Sequence, residues 1–247
     1  MEVMNQLLLP LSTPPRFDFA NMVCHTGVEE AIRIICSTYG KPIRPLPSLF
    51  IHGPAGTGKT HMLHALAALL ETTFSAEKLT VTFVTAGGGP TDLESFEKLA
   101  TEDDAAVTGV CGVTVDDVHL LDGEKSTHLW NLFNRLTRVG IPMVLASAVP
   151  PEEVFAHDPH VQSRITSGLV FRLDPPDDAI RMLILDKLAA DRHVRIGPEV
   201  CRYLVTRKSR NVKELNRIFD TLDRVSLESK RRITLPFVKL LEAQGLL

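Results

Sequence analysis

Residues 53–60 read Gly53-Pro54-Ala55-Gly56-Thr57-Gly58-Lys59-Thr60, and every position fits the spacing of a loop that cradles phosphate. The glycines let successive backbone N–H groups turn inward as a nest for an anion, at the point where a helix begins and its dipole is positive. Lys59 is then placed to reach the β- and γ-phosphates, and Thr60 to offer its hydroxyl to Mg²⁺. A nucleotide with Mg²⁺ is therefore the expected ligand set. A plain glycine turn between a strand and a helix has no need of the Lys-Thr ending. A second chemical feature is Val113-Thr114-Val115-Asp116-Asp117, an apolar run ending in two carboxylates. Phosphate-cleaving ATPases use one acid at such a strand end to hold Mg²⁺ and a further group to orient the attacking water. Asp116 suits the first task and Asp117 the second, although aspartate reaches a water less far than glutamate does. Ser147 closes another apolar run and is a weaker candidate for touching a γ-phosphate. Arg164 precedes the last apolar run, where an arginine can enter a neighbouring molecule's site or stay solvated. Lys213 follows Asn211, a residue type that caps helices, and is placed either to reach phosphates or to face water.

These groups need a scaffold. Apolar runs at Leu49–Ile51, Leu79–Thr85, Gly112–Val115, Met143–Ser147 and Leu169–Leu173 alternate with helical patterns, which predicts a five-stranded parallel sheet covered on both faces. Asp174-Pro175-Pro176 ends that alternation. Beyond it the periodicity is helical, with one stripe at Ile180, Leu183, Ile184 and Leu188 and another at Val212, Leu215, Ile218, Phe219, Leu222 and Val225. Pro198 is expected at the first turn of a helix. The predicted organisation is an extended tail over 1–15, broken by Pro10, Pro14 and Pro15, then an α/β nucleotide domain over 16–174 and an all-helical lid over 175–247. A chain of 247 residues can hold one α/β domain and a smaller second one.

Net charge is −3, so no global basic field argues for nucleic acid. Arg207, Lys208, Arg210 and Lys230–Arg232 are read as solvated. Cys24, Cys36, Cys111 and Cys201 lack metal spacing, and each lies in or beside an apolar run, which suggests buried free thiols in a reducing cytoplasm. His61 and His64 share a helix face without a third ligand, so no metal is expected there. Trp130 and Phe133 are read as packing residues. Neither a membrane-length apolar stretch nor a leader pattern is present in the sequence.

In combination, these runs resemble the AAA+ module of the bacterial replication initiator DnaA. The likeness is carried by Phe17-Asp18-Phe19-Ala20-Asn21-Met22-Val23, by Leu49 through Ala65, and by Val115-Asp116-Asp117-Val118. Pro150-Pro151, Ser163-Arg164 with Gly168-Leu169, and Asn211-Val212-Lys213-Glu214-Leu215 complete it over roughly residues 16–245. The tail Asn5-Gln6-Leu7-Leu8-Leu9-Pro10-Leu11 and the end from Leu222-Asp223-Arg224-Val225-Ser226 through Ile233-Thr234-Leu235-Pro236-Phe237-Val238-Lys239 look like the Hda regulators, DnaA-related proteins without the initiator's DNA-binding domain. The resemblance implies that the nucleotide is ADP or ATP, and that Val23 and His61 belong to its site with the phosphate loop and Lys213. It further implies that Gln6, Leu7, Leu9 and Leu11 bind the sliding clamp, the β subunit of DNA polymerase III. A strap packed on its own domain is the competing reading of that tail.

The function so implied is negative regulation of replication initiation. Arg164, supplied in trans, would speed hydrolysis of DnaA-bound ATP, with the protein cytoplasmic and brought to the nucleoid by the clamp. Sequence-specific DNA binding and membrane association are not expected, and pairing as a homodimer is left open. Three features leave at most a weak intrinsic ATPase. Asp117 is short, Ala148 stands where the initiator has an acid, and Lys213 replaces an arginine with a point charge. The alternatives are a DnaC-like ATP-driven helicase loader, or another DnaA-related replication ATPase, and a metabolic P-loop kinase. The loader would need efficient turnover and a basic-aromatic track for single strands.

Overall fold

The computed structural model describes residues 17–25, 27–86, 97–99, 109–121, 123–209 and 211–247. The tail residues Gln6, Leu7, Leu9 and Leu11, and Arg210, lie outside the described residues. Contacts divide the chain into two compact units, one of Phe17–Ile180 with Asn211–Lys213, the other including Arg181–Arg210 and Glu214–Leu247.

The first unit is built on five strands: β1 (Leu49–His52), β2 (Thr80–Thr85), β3 (Val110–Asp116), β4 (Met143–Ser147) and β5 (Leu169–Arg172). Their spatial order is β2-β3-β4-β1-β5, and every pairing is parallel. The sheet predicted from the apolar runs is thus present. Strand residues alternate between two buried faces, as the period of two requires. Leu49, Ile51, Val144 and Ala146 pack with Ile35 of helix α1 (Val28–Tyr39) and with Met62, Leu63 and Leu66 of α2 (Lys59–Thr73). On the opposite face Phe50, Val113, Val115 and Leu145 meet Leu129, Leu132 and Leu136 of α3 (Gly123–Val139). A short helix α4 (Pro151–Val154) and then α5 (Pro159–Thr166) bring Val161 and Ile165 to the same cluster. Burial on both sides is what lets all seven residues of β3 be buried.

The second unit holds most of α6 (Asp178–Asp191), α7 (Pro198–Tyr203) continuing into a π-helical turn Leu204–Lys208, most of α8 (Val212–Ser229), and α9 (Leu235–Ala243). Pro198 opens α7 at its first turn as expected. Leu215, Ile218, Phe219 and Leu222 of α8 form the centre of its core with Leu185, Leu204, Phe237, Val238 and Leu241.

Three readings of the sequence change here. On α6 burial falls on Arg181, Leu185 and Ala189, whereas Leu183 is 53% exposed. The continuous run Met182–Leu185 puts an apolar residue on every side of the helix, so the pattern could not say which side is inward. Only Cys111 and Cys201 are buried, while Cys24 and Cys36 are exposed. Cys36 follows the buried Ile35, and one step around a helix turns its thiol outward. Burial, reinforced by the Asp186 carboxylate against it, pushes the Cys201 thiol up to about 12. Lys208 is not simply solvated: its ammonium lies 3.2 Å from Glu242 Oε1, and Tyr203 Oη donates to the other oxygen of that carboxylate at 2.8 Å.

Candidate functional site

β1 runs straight into the glycine-rich loop. Gly53 N–H donates to Ser147 O at the end of β4 (3.2 Å), which ties the loop to the neighbouring strand. At φ 153° Gly53 has the backbone of few other residues, and a Cβ there would lie 2.2 Å from Leu173 O. Gly58 caps α2 in the left-handed region at φ 93°, and a Cβ on it would press on Met22 Cε at 2.9 Å. Both glycines are therefore required by the loop's shape. Thr57 Oγ1 donates back to Pro54 O at 3.0 Å, closing the loop on itself.

Lys59 is 8% exposed, and its ammonium donates to Gly53 O at 2.7 Å and Pro54 O at 2.9 Å. Burial lowers its pKa from the ordinary lysine value, and the charges of Asp116 and Asp117 oppose that shift. Thr60 Oγ1 donates to Asp116 Oδ2 at 2.6 Å, while Asp116 Oδ1 accepts the N–H of Asp117 at 2.9 Å. A hydroxyl and a carboxylate, both hard oxygen donors, thus converge at the start of α2, which fits the few protein ligands that Mg²⁺ accepts beside phosphate and water. Asp117 is left-handed at φ 54° and begins the 3₁₀ turn Val118–Leu120.

Ser147 is fully buried, and its Oγ accepts the N–H of Val149 at 3.0 Å. That bond uses the hydroxyl only as an acceptor and leaves its O–H able to donate, so the sequence reading of Ser147 as a phosphate contact stays an expectation. His119, which sequence reasoning passed over, takes the N–H of Ala148 on Nδ1 at 3.3 Å and joins the turns after β3 and β4. A lone histidine shortly after an acidic pair carries no pattern that would have revealed it.

His61 and His64 fasten the segment ahead of α1. His61 Nε2 bonds Asp18 O at 3.0 Å, and Asp18 Oδ1 accepts the N–H of Asn21 at 2.7 Å. Phe17 stacks on His64 with centroids 5.0 Å apart and meets His61 edge-on at 5.2 Å; His64 also stacks on Phe83 at 4.0 Å. This burial lowers the pKa of His64. The same segment carries Met22 onto Gly58 and leads to the half-buried Val23. Asn211 caps α8 as expected by accepting the N–H of Lys213 at 2.9 Å, and the Lys213 side chain is exposed. Val212 N would lie 3.2 Å from a Cβ on Gly56, so this turn belongs with the loop.

Arg164 is elsewhere. It lines a cavity of about 210 Å³ with Pro45 and Ser48 just before β1, Met143 at the start of β4, and Gly168 just before β5. Those are the N-terminal ends of the strands, whereas the phosphate loop, Asp116 and Ser147 occupy the C-terminal ends. Even a four-residue strand such as β1 separates its ends by roughly 10 Å. The arginine is also held. Nη1 donates to Asn134 Oδ1 at 3.1 Å, and the guanidinium lies 5.4 Å from the centroid of the Trp130 ring, both on α3. Trp130, read from sequence as packing, stacks on Phe133 and carries this arginine as well.

Comparison with known proteins places this arrangement. Residues 14–172 match the family model for the bacterial DnaA ATPase domain, and residues 178–241 match the model for the Hda lid domain. The chromosomal replication initiator protein DnaA of Tropheryma whipplei (strain Twist) is 28% identical over 211 residues, covering 81% of this chain and 42% of that protein. The DnaA of Gloeothece citriformis is also 28% identical, over 83% of this chain and 46% of its own. The chain thus spans about half the length of the curated relatives it matches. Domain III of Thermotoga maritima DnaA superposes with a TM-score of 0.77 at 25% identity, covering 93% of this chain and 97% of that one. The RuvB Holliday junction branch migration motor of the same organism shares the fold at TM-score 0.68 and 16% identity, over 92% and 72% of the two chains. Among the described residues no helix is long and apolar enough to cross a membrane. With a five-stranded AAA+ sheet, a phosphate loop at its C-terminal edge and a matched lid, the chain belongs to the bacterial DnaA ATPase family and carries the lid of its Hda branch.

Proposed function

We infer that this chain binds an adenine nucleotide and acts in trans on an initiator of the DnaA type, completing that partner's site so that its bound ATP is hydrolysed. The observation that carries the reading is the position of Arg164. An arginine held by Asn134 and Trp130 at the strand ends remote from its own phosphate loop lies away from that loop, which supports a role at another molecule's nucleotide. Charge on a transferring phosphoryl group spreads over its oxygens, and an arginine supplied from outside is worth about 10³–10⁵ in rate in well-studied cases.

In the chain's own site residues 53–58 would enclose the phosphates by their N–H groups. Lys59 would leave the carbonyls of Gly53 and Pro54 for the phosphate oxygens, and Lys213 would approach from the turn beside Gly56. Val23 and His61 would border the base and sugar. Thr60 and Asp116 would hold Mg²⁺, which supplies charge neutralisation between phosphates when bound. Asp117 would be left to orient water, and with Ala148 after β4 where the initiator has an acid, slow self-hydrolysis is the expected behaviour. AMPPCP occupies a DnaA of the same fold from Aquifex aeolicus, and ADP or ATP is the ligand we assign to this chain. The tail residues Gln6, Leu7, Leu9 and Leu11 offer an amide and aliphatic anchors to a preformed groove, and the sliding clamp is the partner we assign to them.

The test is hydrolysis of ATP preloaded on purified DnaA, followed with and without this protein and DNA-loaded clamp. The expected result is faster loss of DnaA-bound ATP that requires the clamp and disappears when Gln6→Ala and Leu9→Ala are combined. No acceleration by the wild type at any clamp concentration overturns the regulatory reading, and acceleration indifferent to the tail overturns the clamp assignment.

A further inference from the structure

The lid unit carries a groove that uses neither the nucleotide loop nor Arg164. It lies where the chain enters α9, has a volume of about 500 Å³, and is lined by Arg231, Arg232, Thr234, Pro236, Phe237 and Leu240. Sites that enclose small ligands or side chains fall in the range of roughly 300–1,000 Å³.

Its walls are of two kinds. Arg231 and Arg232 are exposed, and neither has an ion pair or side-chain hydrogen bond among the described residues. Arg192, Lys208, Arg217 and Arg224 in the same unit do pair, with Asp220, Glu242, Glu214 and Glu228. Against the guanidinium groups stands an aliphatic surface. Leu240 is 41% exposed, Pro236 is exposed as well, and Phe237 at 6% shows little more than an edge. The backbone under the arginines is held. Arg231 N–H donates to Ser226 O at 3.0 Å, and the buried Ile233 bridges to Ile196, so the main chain at Arg232 is fixed from both sides. Thr234 caps α9 without a side-chain bond, leaving the positive end of that helix beside the arginines.

We propose that this groove docks a short segment of another protein that combines carboxylates with aliphatic side chains. Guanidinium forks match carboxylates in a bidentate way, and Leu240 with Pro236 supplies the apolar complement. A single nucleic-acid strand also carries negative charge, but its bases require exposed aromatic faces on which to stack. The one ring lining the groove is nearly covered.

Fluorescence anisotropy of the full chain decides the matter with two labelled probes, a decapeptide alternating glutamate and leucine and a ten-nucleotide oligothymidylate. Saturable binding of the peptide is expected, weakened by about tenfold or more when Arg231→Glu and Arg232→Glu are combined, because two attractions become repulsions. Leu240→Ser should also weaken it. The combination of Lys41→Glu with Lys78→Glu, which changes charge equally in the other unit, should not. Thermal melts of all variants show whether they fold. The proposal is overturned by absence of peptide binding up to about 1 mM, by equal losses in the lysine control, or by an unaffected Leu240→Ser. Tighter binding of the oligothymidylate, lost with the same arginines, overturns it in favour of a phosphate site. None of these outcomes depends on nucleotide or on Arg164, so they leave the regulatory reading to its own test.

Discussion

Lys59 holds the phosphate loop in shape before any ligand arrives, because its ammonium is shared between two loop carbonyls. A phosphate entering the nest exchanges those neutral partners for a charged one, and charge-assisted bonds are the stronger kind. Nucleotide that binds only the folded chain raises stability by about 2.7 kcal/mol at a hundred times its Kd. The wild type should therefore melt at higher temperature with ADP or ATP, and Lys59→Ala should show no rise; equal rises in both would remove the loop from the account. Residues of this kind were legible because the motif is contiguous and its chemistry resides in residue type and spacing. The cradle of Arg164 was not, since Trp130 and Asn134 lie on α3 and only folding brings α5 beside them. Nor was the exposure of Cys36, which depends on the angle of one residue around a helix.

At the scale of elements, α5 is the part on which the position of Arg164 depends. It spans eight residues, too few to persist without help. Asp158 provides that help by accepting the N–H groups of His160 and Val161 at 3.1 Å, with Pro159 preset in the first turn. Asp158→Ala should lower stability by about 0.5–2 kcal/mol, as loss of an N-cap does. It should also reduce action on the partner's ATP, while ADP affinity, set at the other end of the sheet, stays unchanged. Chemical denaturation and nucleotide titration check the two parts, and an equal fall in ADP affinity would mean that the two ends are not independent. Strands and their parallel pairing could be read from short apolar runs alternating with helices, because burial on both faces demands them. On α6 the same logic failed, since four apolar residues in succession define no stripe.

Across the whole sheet unit, one parallel sheet separates two kinds of chemistry. Helix N-termini and loop N–H groups gather at the C-terminal ends of the strands, where anions bind. The opposite ends present Arg164. A molecule so arranged can keep nucleotide in one site while acting on another's, and that division is the centre of the account. It is tested most directly by single-turnover hydrolysis of DnaA-bound ATP, with DNA-loaded clamp, in the presence of wild type, Arg164→Ala or Arg164→Lys. The account predicts that both variants fold, bind ADP and bind clamp as the wild type does, yet lose nearly all acceleration, the lysine included because an ammonium lacks the planar fork. Undiminished acceleration by Arg164→Ala would contradict it and return Arg164 to the role of a surface residue resting on Trp130.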